Sequence, residues 1–144
     1  LLDDLRKADS NCEVNDYLTE EWISEYIKSA NITNSKFSET LRAMLKSIKG
    51  KTIYVIYREK GKAVGFGFGV VDNGYVGIFD IHIDASSRGK GFGKEVINKI
   101  LTEAKELGVS KAYLQVVIGN QIAEGLYNKL GFIEVYRYWY RISD

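Results

Sequence analysis

The apolar positions of this chain change period more than once along its length. Trp22, Ile23, Tyr26 and Ile27 recur at helical spacing, and so do Phe37, Leu41, Leu45 and Ile48, ending near Gly50. Thr19, followed by Glu20 and Glu21, supplies a cap and an acidic first turn for the first of these helices. From Thr52 the pattern turns strand-like. "TIYVIY" (52–57), "AVGFGFGVV" (63–71) and "YVGIFDIHID" (75–84) read as three strands, separated by "EKGK" and by "DNG", a strong hairpin signal. Helical spacing returns with Val96, Ile97, Ile100, Leu101 and Ala104, stopped by Gly108. "KAYLQVVI" (111–118) is a further strand. Asn120 then opens a short helix carrying Ala123, Leu126, Tyr127 and Leu130 inward, stopped by Gly131, and "EVYRYWYRI" (134–142) is a last strand. Before Thr19 the pattern is weak, with room for a short strand over residues 14–18.

Helices, then an antiparallel meander, then strand–helix–strand–helix–strand predict a mixed α/β sheet of six to seven strands with helices on both faces. The crossover through residues 94–107 makes the strands near 80 and 114 parallel and right-handed in connection. Neither a repeat nor a linker divides residues 1–144, so one domain is expected; the chain opens on Leu1 rather than Met, as a processed chain or a piece of a longer one does.

Composition narrows the function classes. A formal net charge of +1 gives no global attraction to nucleic acid or to an acidic membrane surface, and no apolar run approaches the roughly 18 residues of a membrane span. One cysteine, Cys12, and one histidine, His82, argue against an internal disulfide and a Cys/His metal site and suit a reducing, cytoplasmic setting.

The stretch "SSRGKGFGKEVI" (86–97) puts three glycines and three cations at the entrance of a helix. Backbone amides exposed there, at the positive end of the helix dipole, suit an anion, and glycine lets it approach. Two familiar phosphate loops do not fit. Gly93-Lys94 is followed by Glu95 and preceded at the needed spacing by Arg88, so there is no Walker A loop; a dinucleotide fingerprint starting at Gly89 meets Lys94 where glycine is required. A pyrophosphate held by Arg88, Gly89, Lys90, Gly91, Phe92, Gly93 and Lys94 is the natural guest. The bland alternative is a glycine-rich turn before a surface helix. "GFGFG" (65–69) fails the fingerprint as well, because Val70 takes its last place. Its glycines sit inside a strand, where they permit a bulge or close packing.

"RGKGFG" (88–93) and "NQIAEGLYNKLGF" (120–132), in that order and after "IFDIHID", resemble the motifs of the GNAT superfamily of acyl-CoA-dependent N-acyltransferases. The resemblance covers roughly residues 50–142. It implies a GNAT-like fold with a splayed parallel pair of strands, and acetyl-CoA as co-substrate without a metal. The loop would hold the pyrophosphate of coenzyme A, the backbone of Ile81, His82 and Ile83 would meet pantetheine, and Asn120 would sit nearby; Asn120 as a plain helix cap is the alternative. The family often has proline where this chain has Ala85.

The implied reaction is attack of a neutral primary amine, on a small molecule or peptide, on the thioester. Tyr127 matches the family's acid for the leaving thiolate; a core tyrosine is the alternative. Some members, including those that acetylate protein N-termini, carry glutamate where this chain has Gln115, which takes no proton at neutral pH. The base candidates are Asp80 and His82, two apart on their strand, with a water chain as a further route. Trp22, Tyr26 and the aromatic last strand are candidate linings for the acceptor cleft, and in that strand Tyr136, Tyr138 and Tyr140 alternate with Arg137, Trp139 and Arg141. The same ladder is a candidate edge for a homodimer. A non-catalytic acyl-CoA-binding module of the same fold is the rival reading.

Overall fold

The computed structural model describes residues 11–115, 133–135 and 138–142. Its elements in chain order are β1 (Cys12–Asn15), α1 (Glu20–Ser29), α2 (Ser35–Lys46), β2 (Lys51–Glu59), β3 (Lys62–Asp72), β4 (Tyr75–Ile83), a 3-10 turn (Ala85–Ser87), α3 (Phe92–Glu106), β5 (Lys111–Gln115), β6 (Ile133–Val135) and β7 (Tyr138–Ile142). They form one seven-stranded sheet in the order β1-β2-β3-β4-β5-β7-β6. β4 and β5 are its parallel pair and the other neighbours are antiparallel.

Local chemistry sets the element ends. The Thr19 hydroxyl accepts the Trp22 amide at 3.0 Å and caps α1. The two hairpins turn on Lys60-Gly61 and Asn73-Gly74, all four with φ between 50° and 81°, as tight hairpin turns of this hand require. The first strand lies earlier than the pattern suggests, at residues 12–15, where it pairs with β2.

The sheet is covered on both faces. On one, α3 lays Val96, Ile97, Ile100 and Ala104 over Val55, Val64, Val76 and Ile78. On the other, α1 and α2 bring Trp22, Ile23, Leu41 and Leu45 onto Tyr54, Ile56, Phe66 and Phe68. In β3 the run Gly-Phe-Gly-Phe-Gly divides between these faces. Phe66 and Phe68 face α1, while the glycines face α3. A Cβ on Gly67 would lie 2.5 Å from Ile81 Cδ1 and 2.8 Å from Val96 Cγ1, so the missing side chains are what lets α3 settle onto the strand. Phe37 departs from its expected inward place: it is 55% exposed on α2.

The C-terminal strand is also different from its pattern. Residues 133–135 and 138–142 form two antiparallel strands, Val135 opposite Tyr138, with β7 inserted between β5 and β6. The single strand expected over 134–142 is therefore corrected to two; Tyr136 and Arg137, on which the expected aromatic face depends, lie outside the described residues. The register of the sheet makes β6, not β7, the outer strand on that side, because β7 is bonded on both sides.

Candidate active site

β4 contains the feature that organises the site. Its pairing with β3 runs Phe68↔Phe79 and then Phe66↔His82, so β4 spends one residue more than β3 across that interval. Asp80 takes the strain, with φ 51°. A bulge of this kind shifts the alternation of everything after it. Val76 and Ile78 face α3; strict alternation would send His82 there too. Instead Ile81 and Ile83 pack on the α3 side, and His82 turns to the α1 side. There its ring lies 5.8 Å from that of Tyr26 and 6.3 Å from that of Phe66.

The same point marks the end of the parallel pair. β4 and β5 are bonded from Tyr75↔Lys111 to Ile78↔Leu114, and among the described residues no later pairing joins them. Residues 79–83 thus keep β3 on one side and leave the backbone edge toward β5 unpaired among the described residues. The described pairing of the two strands ends at this point.

This open edge leads into the 3-10 turn and then the glycine bend. Gly89 and Gly91 adopt φ 82° and 83°, and a Cβ built on either meets nothing within 4 Å. Gly91 precedes α3, and no side chain caps that helix. The amides of Phe92, Gly93 and Lys94 have no acceptor within the helix, as in any first turn, so they are available to a ligand. Phe92 is fixed by stacking on Tyr57 at 4.4 Å.

Of the cations expected to serve the bend, two are already engaged. Lys90 Nζ lies 3.0 Å from Glu59 Oε2 and 5.9 Å from the centre of the Phe92 ring. Arg88 Nε donates to the Ile83 carbonyl at 3.1 Å. Glu59 also accepts from the Ser87 hydroxyl, and the Lys90 contact holds its carboxyl below the usual carboxylate range. An anion arriving here meets backbone amides first and would recruit Arg88 and Lys90 away from these partners; Lys94 stands exposed in the first turn.

Asp80 and His82 differ in their surroundings. Asp80 is reached by solvent, yet partial desolvation raises its pKa, which is what a position in the wall of a cleft produces. Its charge, added to their own burial, helps push the hydroxyls of Tyr26 and Tyr54 up to about 12. The Tyr54 hydroxyl is buried without a hydrogen-bond partner. Burial lowers the pKa of His82, and Arg88 adds to this, while Ser29 and Asp84 oppose it. His82 Nε2 is 3.0 Å from Ser29 Oγ, and Ser29 donates to Asp84 Oδ1 at 2.9 Å. The Ser86 hydroxyl donates to the other Asp84 oxygen at 2.6 Å.

The bend, Ile81, His82, Ile83 and Asp80 are therefore contiguous, as the sequence pattern expects. Asn120 and Tyr127 lie outside the described residues. Trp22 is corrected from a cleft lining to a core anchor: it is 1% exposed and its indole N–H donates to the Val55 carbonyl at 3.0 Å. Tyr26, stacked on it at 5.0 Å, is the part of that pair that touches His82. Ser29, Asp84 and Glu59 escaped the sequence reading, because serine and carboxylates in a polar run carry no periodicity. The bulge did leave a trace: the apolar phase set by Val76 and Ile78 switches to the one set by Ile81 and Ile83. Among the described residues no three His, Cys, Asp or Glu side chains come together to hold a metal, and no helix is long and apolar enough to cross a membrane.

Comparison with known proteins places this geometry. A family model described as "Acetyltransferase (GNAT) family" matches residues 13–132. Over 123 residues, 85% of the chain, it is 33% identical to an uncharacterized N-acetyltransferase, YobR, of Bacillus subtilis (strain 168). The chain spans about half the length of that relative, 49%. Among solved structures, the ribosomal-protein-S18-alanine N-acetyltransferase of Escherichia coli superposes with a TM-score of 0.74 at 18% identity, covering 92% of this chain and 95% of that one. The PaiA N-acetyltransferase of Thermoplasma acidophilum, in complex with coenzyme A, superposes at 0.66 with 14% identity over 90% of this chain and 96% of that one. These two likenesses concern the fold.

Proposed function

The chain belongs to the acetyltransferase (GNAT) family, and on that premise we propose that it moves an acetyl group from acetyl-CoA to a primary amine by direct attack. The observation that carries this reading is the open half of β4 running into the uncapped, glycine-bent entrance of α3. Diphosphate on the amides of residues 89–94 would point pantetheine back along the edge of Ile81, His82 and Ile83. The thioester would then lie beside the bulge, where the Asp80 and His82 side chains reach the α1 side of the sheet.

The chemistry divides among these groups. The acceptor arrives mostly as an ammonium, and the desolvated Asp80 carboxylate favours a cation beside it. Loss of one proton frees the nitrogen lone pair, which bonds to the thioester carbon as the carbonyl becomes an oxyanion. An amide N–H on the open edge near Ile83 is the donor for that oxyanion. Collapse breaks the C–S bond; Tyr127 is the acid that protonates the departing thiolate, whose ordinary pKa near 8.5 lies below that of a tyrosine, about 10, and the second proton shed by the nitrogen as the amide forms restores the phenol. Asp80 and His82 are the candidate proton acceptors at the start.

The acceptor is an amine on a small molecule or a peptide. An alanine of a ribosomal protein is what the Escherichia coli neighbour is named for; here Gln115 stands where members acting on protein N-termini can carry glutamate, so both classes belong in the test. Coenzyme A release is followed with a thiol reagent across polyamines, aminoglycosides and peptides with free N-termini. Turnover on one of them, reduced about a hundredfold in Tyr127→Phe at unchanged acetyl-CoA affinity, is the expected result. Tight acetyl-CoA binding with silence across the panel would favour the non-catalytic module instead.

A further inference from the structure

The contacts around His82 determine more than its place. Asp84 sits at the mouth of the 3-10 turn and receives two hydroxyls, Ser86 at 2.6 Å and Ser29 at 2.9 Å. Those bonds hold its carboxyl below the usual range, the Ser86 contact contributing most. An ionised carboxylate only accepts, so the single hydroxyl proton of Ser29 is committed to Asp84. Ser29 Oγ then has only lone pairs for the His82 Nε2 that lies 3.0 Å away, and Nε2 must be the donor. In the neutral ring one nitrogen carries hydrogen and the other does not. Nδ1 is left as the ring's one basic atom.

We propose that Ser29 and Asp84 are positioning residues that lock neutral His82 with its hydrogen on Nε2, so that Nδ1 takes the proton of the acceptor ammonium. The step rests on the acetyltransferase reading. The ammonium N–H bond breaks, an Nδ1–H bond forms, and the amine keeps the electron pair with which it attacks. The resulting imidazolium donates from Nε2 through Ser29 toward the Asp84 carboxylate, then returns its proton to solvent. The groups around the ring fit this use. Tyr26 from α1 and Phe66 from β3 pack against it, and Ser29 anchors it from the end of α1. Arg88 is the nearby cation and Asp84 the nearby anion, with opposite effects on the ring. Asp80, on the other side of the bulge's apex, is thereby released to hold the cation.

His82 is the chain's sole histidine, so its imidazole nitrogens can be read without assignment ambiguity by nitrogen NMR across a pH titration. The expected spectrum at high pH has hydrogen on Nε2 and a bare Nδ1. In Ser29→Ala and Asp84→Asn this preference should relax. The Asp84 charge raises the His82 pKa, so Asp84→Asn moves the acidic limb of kcat/KM to lower pH, and either variant cuts kcat/KM about tenfold, at unchanged KM for acetyl-CoA. Ser29→Thr, which keeps a hydroxyl, should restore both. A neutral ring carrying hydrogen on Nδ1 in the wild-type protein would overturn the proposal. So would His82→Ala with a wild-type pH profile. Because the NMR reading needs no substrate, it stands or falls separately from the enzyme assignment.

Discussion

Along β4, residues 75–78 are hydrogen-bonded to β3 on one side and to β5 on the other, whereas residues 79–83 pair, among the described residues, with β3 alone. The residues themselves are much alike, apolar and polar in turn. The difference is a single extra residue, Asp80, held at positive φ. Before it, the strand is a core element whose backbone is fully used. After it, Ile81 and Ile83 still fill the α3 face, but His82 is turned to the opposite side, and among the described residues the backbone toward β5 has no strand partner. One inserted residue thus re-aims His82, and leaves the core beneath it filled.

That contrast can be broken most severely by deleting Asp80. Without it β4 alternates strictly, Ile81 falls opposite Gly67 and His82 stays opposite Phe66, so the isoleucines keep the α3 face and the urea midpoint should change little. What is lost is the bulge, and acetyl-CoA affinity should fall about a hundredfold or more by calorimetry. Unchanged affinity would mean that the bulge does not shape the binding edge. Next, Gly91→Val puts a β-branched residue where φ is 83° and fills the space above the bend. Acetyl-CoA affinity should fall about a hundredfold or more by calorimetry, through strain in the bend and the lost approach to its amides. The melting curve should change little. Gly67→Ala probes the packing beneath the open half. Its new Cβ meets Ile81 and Val96 too closely, and about 1–3 kcal/mol of stability should be lost with coenzyme A still bound.

The smallest effect concerns Asp80 as a charge. Its pKa is raised in the fold, so the ionised form is what the native state disfavours. Asp80→Asn, which tolerates the same φ, should therefore stabilise the protein at neutral pH. The gain is less than about 1 kcal/mol, since solvent screens the carboxylate. It should shrink as pH falls through the raised pKa of the folded state and vanish below the ordinary aspartate pKa, where Asp80 is protonated in both states. A variant less stable than wild type at pH 7 would show that the carboxylate has a partner in the cleft.

Features with a local cause were readable in advance. The Thr19 cap, the Asn73-Gly74 turn and the glycine bend depend on residues within three or four positions of one another, and each lies where its chemistry demands. The packing role of the β3 glycines was readable as a choice between bulge and close contact; close contact is what they provide, with the bulge on the facing strand. What was not legible depends on distant pairing. The run "IFDIHID" carries only a change of apolar phase, and its register against β3 is what identifies that change as an added residue. The break between Val135 and Tyr138 carries no glycine, asparagine or proline to announce it. Ser29 lies 53 residues from His82, and the Glu59–Lys90 pair spans 31, separations at which hydrophilic side chains leave no pattern.

The most direct test is to titrate acetyl-CoA into the isotopically labelled protein and follow every backbone amide. The account predicts that the amides of residues 89–94 and of Ile81, His82 and Ile83 shift on binding, while those of Val76, Gly77 and Ile78, bonded on both sides, hold still. Shifts confined to another surface, or none at saturating acetyl-CoA, would contradict it.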